Sequence, residues 1–161
     1  MKTLIFVRHG KSSWEYSVQD KDRPLKERGI NDAYLVASEA VKNGIMPEAV
    51  FASFANRALH TCIIFLRTLQ FPIEKLVVTP ELYDFGGSSV QAYIDSIDNS
   101  IDTVMLFGHN HAFTSLANML GDKYIENVPT SGMVVIDFEV NSWKDIKQGK
   151  TKHFMTPKQL K

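Results

Sequence analysis

The chain has 161 residues, of which 44% are hydrophobic and 22% charged; these values predict one folded domain over residues 1–161 and argue against disorder. Its 18 basic and 18 acidic side chains cancel, so the chain lacks the basic surplus typical of proteins that bind nucleic acids. No apolar run approaches the roughly 20 residues of a membrane span, and the single cysteine, Cys62, cannot form an intrachain disulfide. We therefore expect a cytoplasmic protein that binds neither nucleic acid nor membranes.

Strand-like and helix-like patterns alternate along the whole chain. The alternation predicts an α/β fold with a mostly parallel sheet and helices on both faces. Ser88 and Ser89 are expected to cap the third helix, because serine hydroxyls accept hydrogen bonds from the first amides of a helix. In chain order the patterns predict a strand at Thr3–Val7, a helix from Ile30 to Val41, a strand at Ala49–Ser53, a helix at Asn56–Leu69, a strand at Leu76–Thr79, a helix from Ser88 to Ile97, a strand at Thr103–Phe107, a helix at Ala112–Leu120 and a strand at Met133–Val140.

Two of the predicted strands, "TLIFV" and "TVMLF", are apolar throughout, which is typical of central parallel strands buried on both faces. The first is followed by Arg8, His9 and Gly10, and the second by Gly108 and His109. Ligands of open α/β sheets bind at the carboxyl ends of the strands. If these two strands are neighbours, the two imidazoles face each other across one pocket, beside glycines that let a substrate approach the backbone.

Arg57 lies in the first turn of the helix predicted after Ser53. A cation at this position is poorly placed against the helix dipole, which favours negative charge at the N-terminus. A bound anion of phosphate size would reverse that cost, because the guanidinium, the dipole and the first backbone amides would all interact with it.

Together, Arg8, His9, Arg57 and His109 predict a site for phosphoryl transfer that requires no metal cofactor. Two guanidiniums would bind the non-bridging oxygens, one imidazole would attack phosphorus, and the other, as a cation, would donate further hydrogen bonds. The attacking nitrogen must be unprotonated while the other nitrogen of that ring is held, and a backbone carbonyl near Gly10 is a candidate acceptor. Ser12, in the loop after Gly10, and Gly108 are further candidates for substrate contact.

Four motifs in this order resemble the histidine phosphatase superfamily, also called the phosphoglycerate mutase-like fold. They are Arg8-His9-Gly10 after the first strand, "DRPLKERGINDA", "SFANRALHT" and "FGHNH", and the likeness continues through "VPTSGMVVIDF" and "TPKQL" near the carboxyl end. Within that superfamily the chain resembles the SixA-like branch of phosphohistidine phosphatases. The resemblance implies a three-layer α/β/α sandwich without a metal, with His9 as nucleophile, Arg8 and Arg57 on the phosphate, and His109 completing the pocket.

The chain departs from the family pattern in ways that bear on its substrate. Phe54 stands where the family usually has proline, and neither the glutamate of mutase-like members nor the aspartate of phytase-like members has an evident counterpart. The nearest candidates for a general acid are Glu81 and Asp84. An alkoxide leaving group needs a proton, whereas an imidazole leaving from phosphohistidine needs much less help. We therefore expect a phosphatase that hydrolyses phosphohistidine on a protein, or a small exposed phosphoryl group.

Three alternatives remain at this point. The chain could hydrolyse phosphate monoesters with Glu81 or Asp84 as the acid, or it could be a non-catalytic module that binds phosphoproteins. It could also be a metal-dependent hydrolase in which His109 and His111 bind zinc together with His9 or Asp84, although arginines beside such ligands would oppose a cation.

Overall fold

The computed structural model describes residues 1–161 and contains six strands and five α-helices. Four strands and two helices lie where the sequence predicts them to within one residue at each end, and the last predicted strand ends two residues early. In chain order the elements are β1 (Lys2–Arg8), α1 (Glu27–Lys42), β2 (Ala49–Ser53), α2 (Asn56–Leu69), β3 (Leu76–Thr79), α3 (Ser88–Asp95), β4 (Thr103–Gly108), α4 (Ala112–Leu120), β5 (Met133–Phe138), β6 (Lys150–Met155) and α5 (Pro157–Leu160).

All six strands form one sheet in the order β3-β2-β4-β1-β5-β6. The first four of these are parallel to one another, whereas β5 runs antiparallel to β1 and β6 antiparallel to β5. The expected mostly parallel sheet is confirmed. The two continuously apolar strands, β1 and β4, are direct neighbours, with Arg8 paired to Gly108 at their carboxyl ends.

The sheet separates two hydrophobic cores, because successive side chains of a strand point to opposite faces. In β1, Leu4 and Phe6 pack with residues of α3 and α4 such as Phe113. Ile5 and Val7 pack on the other face with residues of α1 and α2 such as Phe65. These contacts produce the three-layer α/β/α sandwich that the resemblance implies.

The start of α3 differs from the prediction that serines cap this helix. The Asp84 carboxylate caps it instead, accepting hydrogen bonds from the amides of Gly86, Gly87 and Val90 at 3.1, 3.0 and 3.1 Å. A carboxylate accepts several amide hydrogens and is favoured by the helix dipole, so it is a stronger cap than a hydroxyl. Ser89 instead donates its hydroxyl hydrogen to the carbonyl of Glu81 at 2.9 Å.

The carboxyl-terminal part of the sheet also differs from the prediction. The last predicted strand ends at Phe138 rather than at Val140, and β6 was not predicted. β6 lies at the edge of the sheet, and its sequence mixes charged and apolar residues. It therefore lacks the continuous apolar run that identified the central strands.

No helix of this structure is both long enough and apolar enough to cross a membrane.

The cap at α3 can be tested by comparing Asp84→Ala with Ser88→Ala. We expect Asp84→Ala to lower the free energy of unfolding by about 1 kcal/mol, the usual effect of removing a helix cap. Ser88→Ala should change it by less than about 0.5 kcal/mol, the usual range for a surface substitution. Urea denaturation followed by circular dichroism measures both. A larger loss for Ser88→Ala than for Asp84→Ala would restore the serine cap.

Candidate active site

His9 follows β1 directly and is held in one orientation by the backbone. Its amide donates to the carbonyl of Gly108 at 3.1 Å, which continues the pairing of β1 with β4. Its Nδ1 lies 2.7 Å from the carbonyl oxygen of Gly10. A carbonyl can only accept, so Nδ1 carries the ring proton and Nε2 is unprotonated. The expected backbone acceptor near Gly10 is confirmed.

The two glycines beside the histidines are required by packing within the protein. A Cβ at Gly10 would lie 2.8 Å from the carbonyl oxygen of Gly29 and 3.1 Å from Ser131 Oγ. A Cβ at Gly108 would lie 2.7 Å from the ring of Phe113. Packing alone therefore requires glycine at both positions, and the expectation that these glycines also admit a substrate to the backbone stays a prediction. Gly108 contributes the carbonyl that binds the His9 amide.

Arg57 reaches the site from the first turn of α2. Its Nε donates to His9 Nε2 at 3.4 Å, while Nη1 and Nη2 donate to the carbonyl oxygen and the carboxylate of Asp20 at 2.7 and 2.9 Å. Thr61, one turn further along α2, accepts the Gly10 amide at 2.9 Å and donates to the Arg57 carbonyl at 2.8 Å. α2 therefore positions Arg57 and the loop of the first histidine together.

Arg23 is a third arginine of the site, and sequence reasoning did not identify it. It is buried, and its Nη2 donates to Ser12 Oγ at 2.5 Å while its Nε donates to the carbonyl of Ser13 at 3.1 Å. Ser12 thus lies in the site but is engaged with an arginine. Arg23 lies in the "DRPL" part of a motif that resembles the family, and this motif was the only signal in the sequence, because its burial appears only in the folded chain.

Asp20 supplies the carboxylate that balances these arginines. It begins a short 3₁₀ helix, Asp20–Asp22, and accepts hydrogen bonds from Arg57, from Arg23 at 3.2 Å and from the Tyr83 hydroxyl at 2.7 Å. Partial burial acts to raise the pKa of Asp20, but the hydrogen bonds from Tyr83 and Arg57 outweigh it and lower this pKa to about 2. Asp20 is therefore ionised at neutral pH.

His109 follows β4, and its ring centroid lies 5.2 Å from that of His9. Its Nε2 lies 2.9 Å from Ser53 Oγ at the end of β2. Ser53 Oγ also accepts the Ala55 amide at 3.2 Å, and when its own hydrogen is donated to Nε2 the ring proton lies on Nδ1.

Both imidazoles are neutral at physiological pH. Burial is the main cause, and the charge of Arg57 adds to it; the pKa of each ring is lowered to about 3. For His9 this suits a nucleophile, which must present an unprotonated nitrogen. For His109 it makes the ring a neutral donor in the free protein, and a bound phosphoryl dianion would raise this pKa towards the cation that the sequence predicts.

Three buried polar atoms of the site have no hydrogen-bond partner in the protein: Arg8 Nε, His109 Nδ1 and Ser131 Oγ. Ser131 was not predicted; its amide bonds to the carbonyls of Arg8 and His9, which places it beside the nucleophile's loop. Buried donors without partners are costly in a folded protein. Their presence around His9 fits a ligand rich in acceptor oxygens, such as a phosphoryl group.

Neither candidate acid has the properties of a general acid. The Asp84 carboxylate is engaged in capping α3, and although partial burial acts to raise its pKa, the amide hydrogen bonds outweigh this and lower it. The pKa of Glu81 is lowered mainly by a hydrogen bond from the Thr79 hydroxyl. A general acid at neutral pH needs a raised pKa, so both carboxyls are ionised where an acid would have to be protonated.

The zinc alternative needs His109 and His111 together with His9 or Asp84. No group of three or more His, Cys, Asp or Glu side chains is arranged so that it could hold a metal ion. The donors that surround the imidazoles are instead guanidiniums, whose charge favours an anion.

The low pKa of His9 can be measured directly by NMR of the folded protein labelled with ¹³C at the histidine Cε1 carbon. We expect no titration of His9 between pH 8 and pH 5, because its pKa lies near 3. An ordinary histidine with a pKa near 6.5 would be about 97% protonated at pH 5. The same label in urea-unfolded protein should titrate near 6.5, and a midpoint near 6.5 in the folded protein would contradict the assignment of a neutral nucleophile.

Comparison with known proteins places this site in a family. The sequence pattern of the histidine phosphatase superfamily (branch 1) matches residues 4–86, more than half of the chain. An uncharacterized protein of Mycobacterium tuberculosis is 28% identical over 153 residues, which cover 89% of this chain and 93% of that protein.

Two solved structures have the same fold. The protein histidine phosphatase SixA complexed with tungstate has a TM-score of 0.84 at 23% identity, covering 99% of each chain. A SixA protein of Agrobacterium tumefaciens, assigned as a phosphohistidine phosphatase, has a TM-score of 0.82 at 24% identity, covering 97% of this chain and 98% of that one. The family match agrees with this fold and with the pair of histidines. The chain therefore belongs to the histidine phosphatase superfamily and is a phosphatase that uses a histidine nucleophile.

Proposed function

We propose that this phosphatase hydrolyses phosphohistidine, an N–P bond, through a covalent intermediate on His9. The observation that carries the proposal is the state of His9: Nδ1 is fixed on the Gly10 carbonyl at 2.7 Å, and Nε2 is unprotonated and faces Arg57 at 3.4 Å. A site that only bound phosphate would have no use for a neutral imidazole held in this way. The substrate is a phosphorylated protein or a small phosphorylated molecule.

The arginines and His109 supply the binding part of the proposed mechanism. Arg8, Arg57 and Arg23 surround His9, and each of them lowers its pKa through its charge. Guanidiniums bind phosphoryl oxygens with forked hydrogen bonds and neutralise the charge that these oxygens carry in the transition state. His109 adds a neutral N–H donor, and no metal is needed to balance the charge.

The reaction has two steps. In the first, His9 Nε2 attacks phosphorus, a new N–P bond forms, and the bond between phosphorus and the leaving imidazole breaks. That imidazole accepts a proton from solvent and leaves as a neutral ring. In the second step water attacks the phosphorus of phospho-His9, which releases inorganic phosphate, returns the electron pair to Nε2 and transfers the proton of water to solvent.

The state of the carboxyls supports an N–P substrate over a phosphate monoester. An alkoxide leaves only when it is protonated, and a general acid typically contributes 10²- to 10⁴-fold to that step. Glu81 and Asp84 are ionised and held by other groups, and the pKa of Asp20 is about 2. A leaving imidazole depends far less on such an acid.

Replacement of the nucleophile is the first test. We expect His9→Ala to lower kcat/KM by at least 10³-fold and to abolish acid-labile phosphate on the protein after a quench during turnover, because the covalent step is lost. The matched control is His153→Ala, a histidine of β6 outside the site, which should retain activity and labelling. Turnover by His9→Ala, or labelling of another histidine, would contradict the proposed mechanism.

Leaving-group preference is the second test. We expect kcat/KM for free phosphohistidine to exceed that for an alkyl phosphate by at least about 100-fold, the lower range of what a general acid provides. Glu81→Gln and Asp84→Asn should leave both values within about threefold. If either substitution lowers the alkyl phosphate rate 100-fold and spares phosphohistidine, the chain is a monoester phosphatase with that carboxyl as its acid.

A further inference from the structure

Three aromatic side chains form a continuous group at the edge of the site, which we call the aromatic wall: Phe54, Tyr83 and Phe85. The ring of Tyr83 lies 4.9 Å from that of Phe54 and 5.2 Å from that of Phe85, in both cases edge to face. The rings of Phe85 and Tyr83 lie 5.0 and 5.4 Å from that of His109. The aromatic wall therefore adjoins the histidine pair directly.

Neither hydrophobic core accounts for the aromatic wall. Phe54 and Phe85 are 43% and 46% exposed, and none of the three residues belongs to the packed clusters on either face of the sheet. Two large rings that face solvent together, beside buried polar groups, are typical of a surface that binds a ligand.

The aromatic wall is also held in place before any ligand binds. The Tyr83 hydroxyl donates to the Asp20 carboxylate at 2.7 Å, and Asp20 in turn accepts from Arg57 at 2.9 Å. Phe54 directly follows β2, two residues before α2 begins, so its backbone is fixed at both sides. A rigid aromatic surface loses little conformational freedom on binding, which increases its contribution to affinity.

Its position identifies which part of a substrate it can contact. The His109 ring centroid lies 5.2 Å from that of His9 and 5.0 Å from that of Phe85, so His109 connects the histidine pair with the aromatic wall. A phosphoryl group bound at the histidines therefore lies close to Phe85, and Phe54 extends the same aromatic surface through Tyr83. The group that binds best to exposed aromatic rings is another flat ring, in a stacked or edge-to-face contact.

We propose that Phe54 and Phe85 bind the leaving group and select a flat aromatic one, so that a phosphorylated imidazole is preferred over a phosphoryl donor without a ring. This inference rests on the proposed function and assigns its selectivity to residues outside the phosphoryl pocket. Each ring is expected to contribute about three- to tenfold to kcat/KM, the range of a single aromatic pair.

The test compares two N–P substrates that differ in the ring: free phosphohistidine and phosphoramidate. Phe54→Leu and Phe85→Leu should each lower kcat/KM for phosphohistidine about three- to tenfold and change that for phosphoramidate by less than twofold. Phe54→Tyr and Phe85→Tyr keep the ring and should restore the wild-type preference. The matched control is Tyr124→Leu, an aromatic residue that is 84% exposed outside the aromatic wall, which should change neither value.

Inhibition by tungstate shows whether the oxyanion pocket survives each substitution, and its inhibition constant should stay within twofold. An equal loss on both substrates, no loss on either, or a loss confined to a phosphorylated protein with free phosphohistidine unaffected would overturn the assignment to the leaving group. Failure of the proposed function gives a different result, because the wild-type protein would then hydrolyse neither N–P substrate. That result would also contradict this inference.

Discussion

Parallel pairing of β1 with β4 sets Arg8 opposite Gly108, so the histidines that follow the two strands leave the sheet side by side, with ring centroids 5.2 Å apart. One more hydrogen bond, from the His9 amide to the Gly108 carbonyl, extends this pairing beyond the last residue of β1. A shift of one residue would move every side chain of the strand to the opposite face and exchange the two cores. The register that builds the cores is therefore also the register that aligns the imidazoles.

The charges of the site follow from this arrangement. Arg8, Arg57 and Arg23 lie around two buried rings, and protonating either ring would add another positive charge to a poorly solvated cluster. Both rings therefore stay neutral, and Asp20 provides the ionised carboxylate that holds Arg57 and Arg23. The remaining positive charge and the buried donors without partners suit a doubly charged phosphoryl group, in keeping with a family of phosphatases.

The sequence predicted those parts of the structure that depend on local patterns. The continuous apolar runs of β1 and β4 locate the central strands, and the residues directly after them locate both histidines. Contacts between distant segments were harder to predict. Asp84 precedes α3, and its carboxylate, rather than the hydroxyls of the serines at the start of the helix, accepts the helix amides. Arg23 and Asp20 lie in a segment that has no helix or strand periodicity, so no pattern of the sequence indicated them. Gly10 was identified, but its close contact with Gly29 is visible only in the folded chain.

Phe54 illustrates how one departure from the family pattern connects these features. Proline at this position would fix the backbone entering α2 through its restricted φ. Here Ser53 Oγ accepts the Ala55 amide at 3.2 Å and helps to fix the same turn, and that hydroxyl also lies 2.9 Å from His109 Nε2. In place of a proline, position 54 carries an aromatic side chain that packs on Tyr83. Two adjacent residues after β2 therefore serve both parts of the site, because Ser53 contacts the second imidazole and Phe54 belongs to the aromatic wall beside it.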